Sequence, residues 1–190
     1  MLTPAQREEV SGHRGAVVWF TGLSGSGKTT VARALDQLMH EKRKHSFLMD
    51  GDILREGITS DLGFSPEDRT ENLRRFTEVA RLFANAGMLT LVSAISPYEA
   101  LREQAKQRIG ADRFVMVHVA TPLEVCEARD IKGLYAKARA GEIKQFTGLD
   151  APYEEPVNPD VKLVPEDGDP GVMAQTVWNH LVERGFLGGA

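Results

Sequence analysis

Residues 16–29 read Ala16-Val17-Val18-Trp19-Phe20-Thr21-Gly22-Leu23-Ser24-Gly25-Ser26-Gly27-Lys28-Thr29, and their order decides the fold. A continuous apolar run that stops at glycines is the pattern of a strand buried on both faces, as in a parallel sheet. From Thr29 to Glu41 the apolar residues Val31, Leu35 and Leu38 recur at helical spacing. Gly22 to Thr29 matches G-x-x-x-x-G-K-[ST], and it sits directly after a strand and before a helix, the context that gives this pattern a mechanism. Glycines let the chain turn so tightly that successive N–H groups point at phosphate oxygens. The helix adds its positive N-terminal end, Lys28 reaches the β- and γ-phosphates, and the Thr29 hydroxyl ligates Mg²⁺. The expected ATP site is therefore Gly22, Leu23, Ser24, Gly25, Ser26, Gly27, Lys28, Thr29 and Thr30, with Mg²⁺ as cofactor.

Working outward, strands are expected at Ser46–Met49, Met88–Ala94, Arg113–Val119 and Val161–Val164. Helices are expected at Pro66–Ala86, with Gly87 ending it, and at Tyr98–Ile109, Leu123–Arg129, Tyr135–Ala140 and Val172–Arg184. Strands alternating with helices predict an α/β fold of the P-loop NTPase type: three layers, a mainly parallel sheet with helices on both faces. Ligands of such sheets bind beyond the carboxyl ends of the strands. The polar clusters Gly22–Thr29, Asp50–Arg55 and Ile95–Tyr98 all follow strands. No repeat or linker divides the chain, so we expect an N-terminal arm over 1–14 and a single kinase domain over 15–190.

Composition narrows the function. A net charge of −4 over 190 residues argues against a nucleic-acid-binding surface, so any polyanion site must be built locally from a few Arg and Lys residues. The lone cysteine, Cys126, excludes an intrachain disulfide and fits a reducing, cytoplasmic setting. No apolar run approaches the ~18 residues of a membrane span, and residues 1–15 lack the apolar centre of a signal peptide. The five histidines form no ligand cluster, and Trp19 and Trp178 read as core. Without N-K-x-D there is no guanine-reading signature, which leaves a small-molecule kinase rather than a switch GTPase or a motor.

Two further segments carry the acceptor chemistry. Asp50-Gly51-Asp52 places two carboxylates after a strand: one suits the magnesium shell, the other a hydroxyl proton, although an Asp there also suits a helix cap. Arg55, Phe64, Arg69, Asn72, Arg74 and Arg75 follow within about two dozen residues. Guanidinium groups fit phosphate or sulfate, and Phe64 is placed to stack on a base. A solvated helix face with i,i+4 pairs such as Glu71 with Arg75 is the competing reading for Arg74 and Arg75.

Taken together, GLSGSGKTT, MDGDILR, DLGFSPEDRTENLRR, SAISPY, PLEVCEARDIKGLYAKARAGEIKQFTGLD and YEEP-NP resemble the adenylyl-sulfate kinase family, in order, over residues 15 to 165. The resemblance implies Mg·ATP-dependent phosphorylation of the 3′-hydroxyl of adenosine 5′-phosphosulfate. It implies that Arg55, Arg69 and Asn72 grip the phosphosulfate and sugar, and that Phe64 and Phe146 sandwich the acceptor adenine. Asp52 falls to the hydroxyl and Asp50 to the magnesium shell. Ile95 and Ser96 fall in the acceptor loop, where Ser96 matches a serine often described as a phosphoserine intermediate; a hydroxyl lining the pocket is the simpler role. Residues 130–150 match a mobile lid carrying Lys132, Leu134, Lys144 and Phe146, with Arg129 before it packing on the ATP adenine. A homodimer, and association with ATP sulfurylase, also follow from the resemblance. The chain departs from the family pattern at Ala94, where many members carry Phe, and at Glu99, where many carry Arg.

Overall fold

The computed structural model describes residues 2–188. Met1, Gly189 and Ala190, the ends of the expected arm and domain, lie outside the described residues. Five strands, β1 (Ala16–Thr21), β2 (Ser46–Asp50), β3 (Leu89–Ser93), β4 (Phe114–Val119) and β5 (Val161–Leu163), form one sheet in the order β2-β3-β1-β4-β5. Every pairing is parallel. The expected mainly parallel α/β sheet is thus present.

All six residues of β1 are buried, because both of its faces are covered. Val18 and Phe20 pack with α2 (Lys28–Glu41) and α8 (Pro170–Glu183) through Val31, Leu35, Val177 and Leu181. Val17 and Trp19 face the opposite way, onto α4 (Pro66–Asn85) and α5 (Glu99–Ile109) through Phe76, Ala80 and Ala105. Helix α4 begins where the sequence places it: Ser65 caps it, Pro66 occupies its first turn, and Glu67 and Asp68 complement its dipole. Gly87 follows its C-cap at φ +87°, a left-handed turn that releases the chain into β3.

Three elements differ from expectation. The arm contains α1 (Pro4–Ser11), started by a capping box between Thr3 and Gln6. Glu8 ties it down by accepting from the Gly15 N–H at 3.1 Å and pairing with Arg113 at 2.8 Å. A short helix α3 (Gly51–Arg55) follows β2, capped by the Asp50 carboxylate, which accepts from the Asp52 N–H. Helix α8 starts two residues early, at Pro170, because Asp169 caps it. The remaining helices are α6 (Leu123–Arg129) and α7 (Leu134–Arg139).

Two buried histidines make the fold acid-sensitive. His13 accepts from the His45 N–H through Nε2 (3.1 Å) and donates from Nδ1 to the Arg14 carbonyl (3.2 Å), so it is held neutral. Burial lowers its pKa, and burial of His118 against Tyr153 pushes that imidazole down to about 4. An unfolded histidine takes up its proton near 6.5, so stability is intact above that value and falls as pH drops toward 4. At pH 5 the His118 contribution amounts to about 2 kcal/mol. The thermal midpoint should therefore drop between pH 7 and 5, and in His118→Phe the drop should be visibly shallower; equal slopes would refute the assignment.

Candidate active site

The sheet register assembles the site. Phe20 lies opposite Ser93, and Ser93 opposite Asp50, so β1, β3 and β2 end level with one another. Order changes direction at β1, the place where ligands of open parallel sheets bind.

The P-loop leaves β1 at Gly22, whose φ is +151°; a Cβ there would lie 2.5 Å from the Val119 carbonyl oxygen. Gly27, at φ +102°, is the N-cap of α2 and brings no side chain to it. The opening amides of a 14-residue helix are thereby left for a ligand with negative charge. Lys28 is buried, and its ammonium donates to the carbonyls of Gly22 (2.9 Å) and Leu23 (2.6 Å). Burial pushes its pKa down to about 8, against the pull of Asp52 and Asp50. A cation desolvated to this degree gains strongly from an anion placed beside it.

The Thr29 hydroxyl lies 3.0 Å from the Ser93 hydroxyl. Asp50 is buried and accepts from the Asp52 N–H at 2.8 Å, so the capping role and a place at the end of β2 belong to the same carboxylate. Asp52 points outward, 70% exposed, and pairs with Lys132 of the 130–150 segment. No group of three or more His, Cys, Asp or Glu side chains among the described residues would hold a metal by itself. The oxygen donors Thr29, Ser93 and Asp50 suit Mg²⁺, which keeps most of its shell as water and substrate phosphate.

Phe64 is 63% exposed, with the Arg55 guanidinium 4.3 Å from its ring centroid. Arg55 is tethered by the carbonyls of Leu62 (3.3 Å) and Gly63 (3.1 Å). Arg69 donates from Nε to the Phe64 carbonyl (2.9 Å) and from its terminal nitrogens to the Gln145 carbonyl and the Thr147 hydroxyl. One guanidinium thus joins the segments that carry Phe64 and Phe146. Asn72 is buried with its Oδ1 unpartnered.

The 130–150 segment has its own small core. Tyr135, Phe146 and Cys126 are buried together, with Leu23 of the P-loop and Leu134 packed against them. Phe146 is only 9% exposed and meets Tyr135 edge-on at 4.9 Å, so its ring is held within this cluster rather than free in the cleft. The Tyr135 hydroxyl donates to the Ser24 carbonyl at 2.9 Å, fastening α7 to the phosphate loop. Arg129, Lys144 and Thr30 are exposed, the first at the end of α6. Arg74 and Arg75 both pair with Glu71, and Arg75 also with Asp61, which is the solvated-face arrangement.

Ser96 differs from a hydroxyl lining a pocket. It is 2% exposed, its Oγ accepts from the Trp19 indole N–H (3.0 Å) and donates to the Ala94 carbonyl (3.3 Å), and its φ is +42°. The sequence offered no direct signal for Ser93, for the inward hydroxyls of Thr21 and Tyr153, or for the Trp19 hydrogen bond, because each pairs residues far apart in the chain. Glu99, a departure from the family pattern, has a partner in Arg102 three residues on.

Comparison with known proteins gives the chain a family. The adenylylsulphate kinase family model matches residues 14–164. An adenylyl-sulfate kinase of Enterobacter sp. (strain 638) is 56% identical over 162 residues, covering 85% of this chain and 81% of the relative. One from Klebsiella pneumoniae (strain 342) matches with the same identity and coverage, 56%, 85% and 81%. Among solved structures, the Mycobacterium tuberculosis APS kinase CysC in complex with AMPPNP and APS superposes with a TM-score of 0.85 at 51% identity, over 90% of this chain and 99% of that one. A gluconokinase from Sinorhizobium meliloti, at 13% identity and TM-score 0.56 over 91% and 95% of the two chains, shares the fold alone. The chain belongs to the adenylyl-sulfate kinase family.

Proposed function

We propose that the chain transfers the γ-phosphoryl group of Mg·ATP to the 3′-hydroxyl of adenosine 5′-phosphosulfate, giving 3′-phosphoadenosine 5′-phosphosulfate and ADP. The observation that carries this reading is that one segment, residues 130–150, is bonded to both halves of the site. Tyr135 and Phe146 pack on the P-loop at Leu23 and Ser24, while Arg69 holds Gln145 and Thr147 and Asp52 pairs with Lys132. The solved complex of the M. tuberculosis relative, with AMPPNP and APS, supports the choice of substrates.

In this reading the amides of Gly22 to Thr30 and the Lys28 ammonium hold the β- and γ-phosphates, and Arg129 lies over the ATP base. Thr29 and Asp50, with Ser93 beside them, hold the magnesium ion, which neutralises phosphate charge when bound. Arg55, Arg69 and Asn72 grip the phosphosulfate and ribose; Phe64 stacks on the acceptor base while Phe146, fixed in its cluster with Tyr135, bounds the base from the lid side; and Ile95, Lys132, Leu134 and Lys144 complete its surroundings. The acceptor O3′ attacks Pγ, the bond from Pγ to the β-bridging oxygen breaks, and the hydroxyl proton passes to the Asp52 carboxylate. Residues 130–150 act as a lid whose closure excludes water. Lys132 in that lid pairs with Asp52 and leaves it when substrate enters. Residues 15–190 work as one kinase domain, with 1–14 as its arm. We place the enzyme in the cytoplasm as a homodimer able to work beside ATP sulfurylase; the single buried cysteine supports a reducing compartment, and no helix of the described residues is long and apolar enough to cross a membrane.

Transfer is direct, because the Ser96 oxygen is buried and already hydrogen-bonded on both sides. Ser96→Ala should keep kcat within about tenfold, the loss expected for a packing and hydrogen-bond change. A kcat reduced a thousandfold, or a phosphorylated Ser96 found by mass spectrometry during turnover, would contradict this. The assignment as a whole is tested by ADP release from Mg·ATP with adenosine 5′-phosphosulfate, AMP, adenosine and gluconate in parallel. Turnover with the phosphosulfate alone is expected; turnover with another acceptor instead would overturn the reading.

A further inference from the structure

Arg102 is the only buried arginine among the described residues, and its side chain is 0% exposed. It extends from the first turn of α5 toward the end of β3. Nη1 donates to the Ser96 carbonyl at 2.6 Å, Nη2 to the Glu154 carbonyl at 2.6 Å, and Nε to Glu99 Oε2 at 2.9 Å. A second donation from Nη2 to the same carboxylate oxygen completes the pairing. Burying a guanidinium is costly unless its donors are met, and here each nitrogen is committed.

What these bonds hold is the Ile95–Tyr98 loop. The Ile95 carbonyl accepts from the Thr21 hydroxyl at 2.6 Å, and the Pro97 carbonyl accepts from the Glu154 N–H at 2.8 Å. With Arg102 on Ser96, three consecutive carbonyls are drawn into the protein. Glu154 closes the frame, its carboxylate accepting from the Glu99 N–H at 2.7 Å. Ser96 sits at φ +42°, a conformation that costs a non-glycine residue on the order of 1 kcal/mol and persists only where the surroundings impose it. The N–H groups of Ile95 and Ser96 have no hydrogen-bond acceptor among the described residues. Inward carbonyls with free amides are the arrangement that presents donors to an anion.

We propose that Arg102, braced by Glu99 and the Glu154 segment, is a positioning residue for the acceptor. By pulling the Ser96 carbonyl inward it sets the loop so that its amides meet the phosphosulfate substrate. This rests on the acceptor assignment above. It touches neither the P-loop nor the magnesium donors, so its effect should divide the two substrates. It also gives Glu99 a purpose: the carboxylate balances the buried cation instead of meeting the ligand.

The test is steady-state kinetics of wild type, Arg102→Lys and Glu99→Gln, with thermal melts alongside. A lysine cannot reach Ser96, Glu99 and Glu154 together, so the acceptor KM should rise about tenfold or more, because small misplacements of a bound substrate are costly. The KM for Mg·ATP should stay within about twofold. Glu99→Gln keeps an acceptor for Arg102 but removes the charge, and should shift the acceptor KM in the same direction by less. A lower melting temperature with both KM values unchanged would show a merely structural role and overturn the proposal, as would a parallel rise in both. If Arg102→Lys does not fold, Glu99→Gln decides: an unchanged acceptor KM overturns it. Wild type that fails to use the phosphosulfate at all would defeat the acceptor assignment itself, and this proposal with it.

Discussion

Lys28→Met is expected to lower kcat by about 10²- to 10³-fold, the loss seen when one preorganised donor to a developing charge is removed. The Lys28 ammonium lies between the Gly22 and Leu23 carbonyls, next to where the P-loop turns. Burial is the largest of the effects that bring its pKa down to about 8. Charge in such surroundings acts on phosphate oxygens with little screening, so its removal is felt mainly in the transition state. Stability should change little. Methionine fills a similar volume, and the substitution deletes a buried cation along with its desolvation penalty, offsetting the two carbonyls it leaves unmet. Circular dichroism melts set beside kcat check both halves. A mutant that melts far lower, or turns over at more than a tenth of the wild-type rate, would contradict this account of Lys28.

Asp52→Asn should lower kcat by about 10²- to 10⁴-fold, the range for losing a general base, with the melting temperature almost unchanged. The side chain is 70% exposed and its pairing with Lys132 is a surface ion pair, worth little to the fold. Asp50→Ala provides the contrast. Asp50 is buried and caps α3, so its loss should cost about 1 kcal/mol of stability as well as activity. Its activity loss should also shrink as magnesium is raised, whereas that of Asp52→Asn should not. Identical magnesium dependence in the two mutants would mean the roles of the two carboxylates are not divided as assigned.

The part of this architecture legible in the sequence is the part fixed by neighbours along the chain. The run Ala16–Thr21, the glycines at 22, 25 and 27, and the Ser65-Pro66 start of α4 each state their conformation locally. Residues far apart are another matter. Thr29 meets Ser93 because β1 and β3 pair in one particular register, and no local pattern specifies that register. Arg102 reads as an ordinary helix arginine until the chain around Glu154 is laid over it. The helix of the arm is hidden for a different reason. Helix α1 is short and buries no residue, so it lacks the apolar stripe by which helices are recognised, and only the Thr3–Gln6 capping box signals it. Phe146 was legible as an aromatic in a basic, glycine-bounded segment, but its packing on Tyr135 depends on how that segment folds back over Leu23.

Direct transfer between two substrates held in one cleft is best tested by a single-turnover rapid-quench experiment with γ-³²P-ATP and adenosine 5′-phosphosulfate. The account predicts label passing from ATP to the 3′-phosphate of the phosphosulfate product, with no labelled protein at any time. Label trapped on the chain before product forms, or released as inorganic phosphate at the same rate whether or not the phosphosulfate is present, would contradict it.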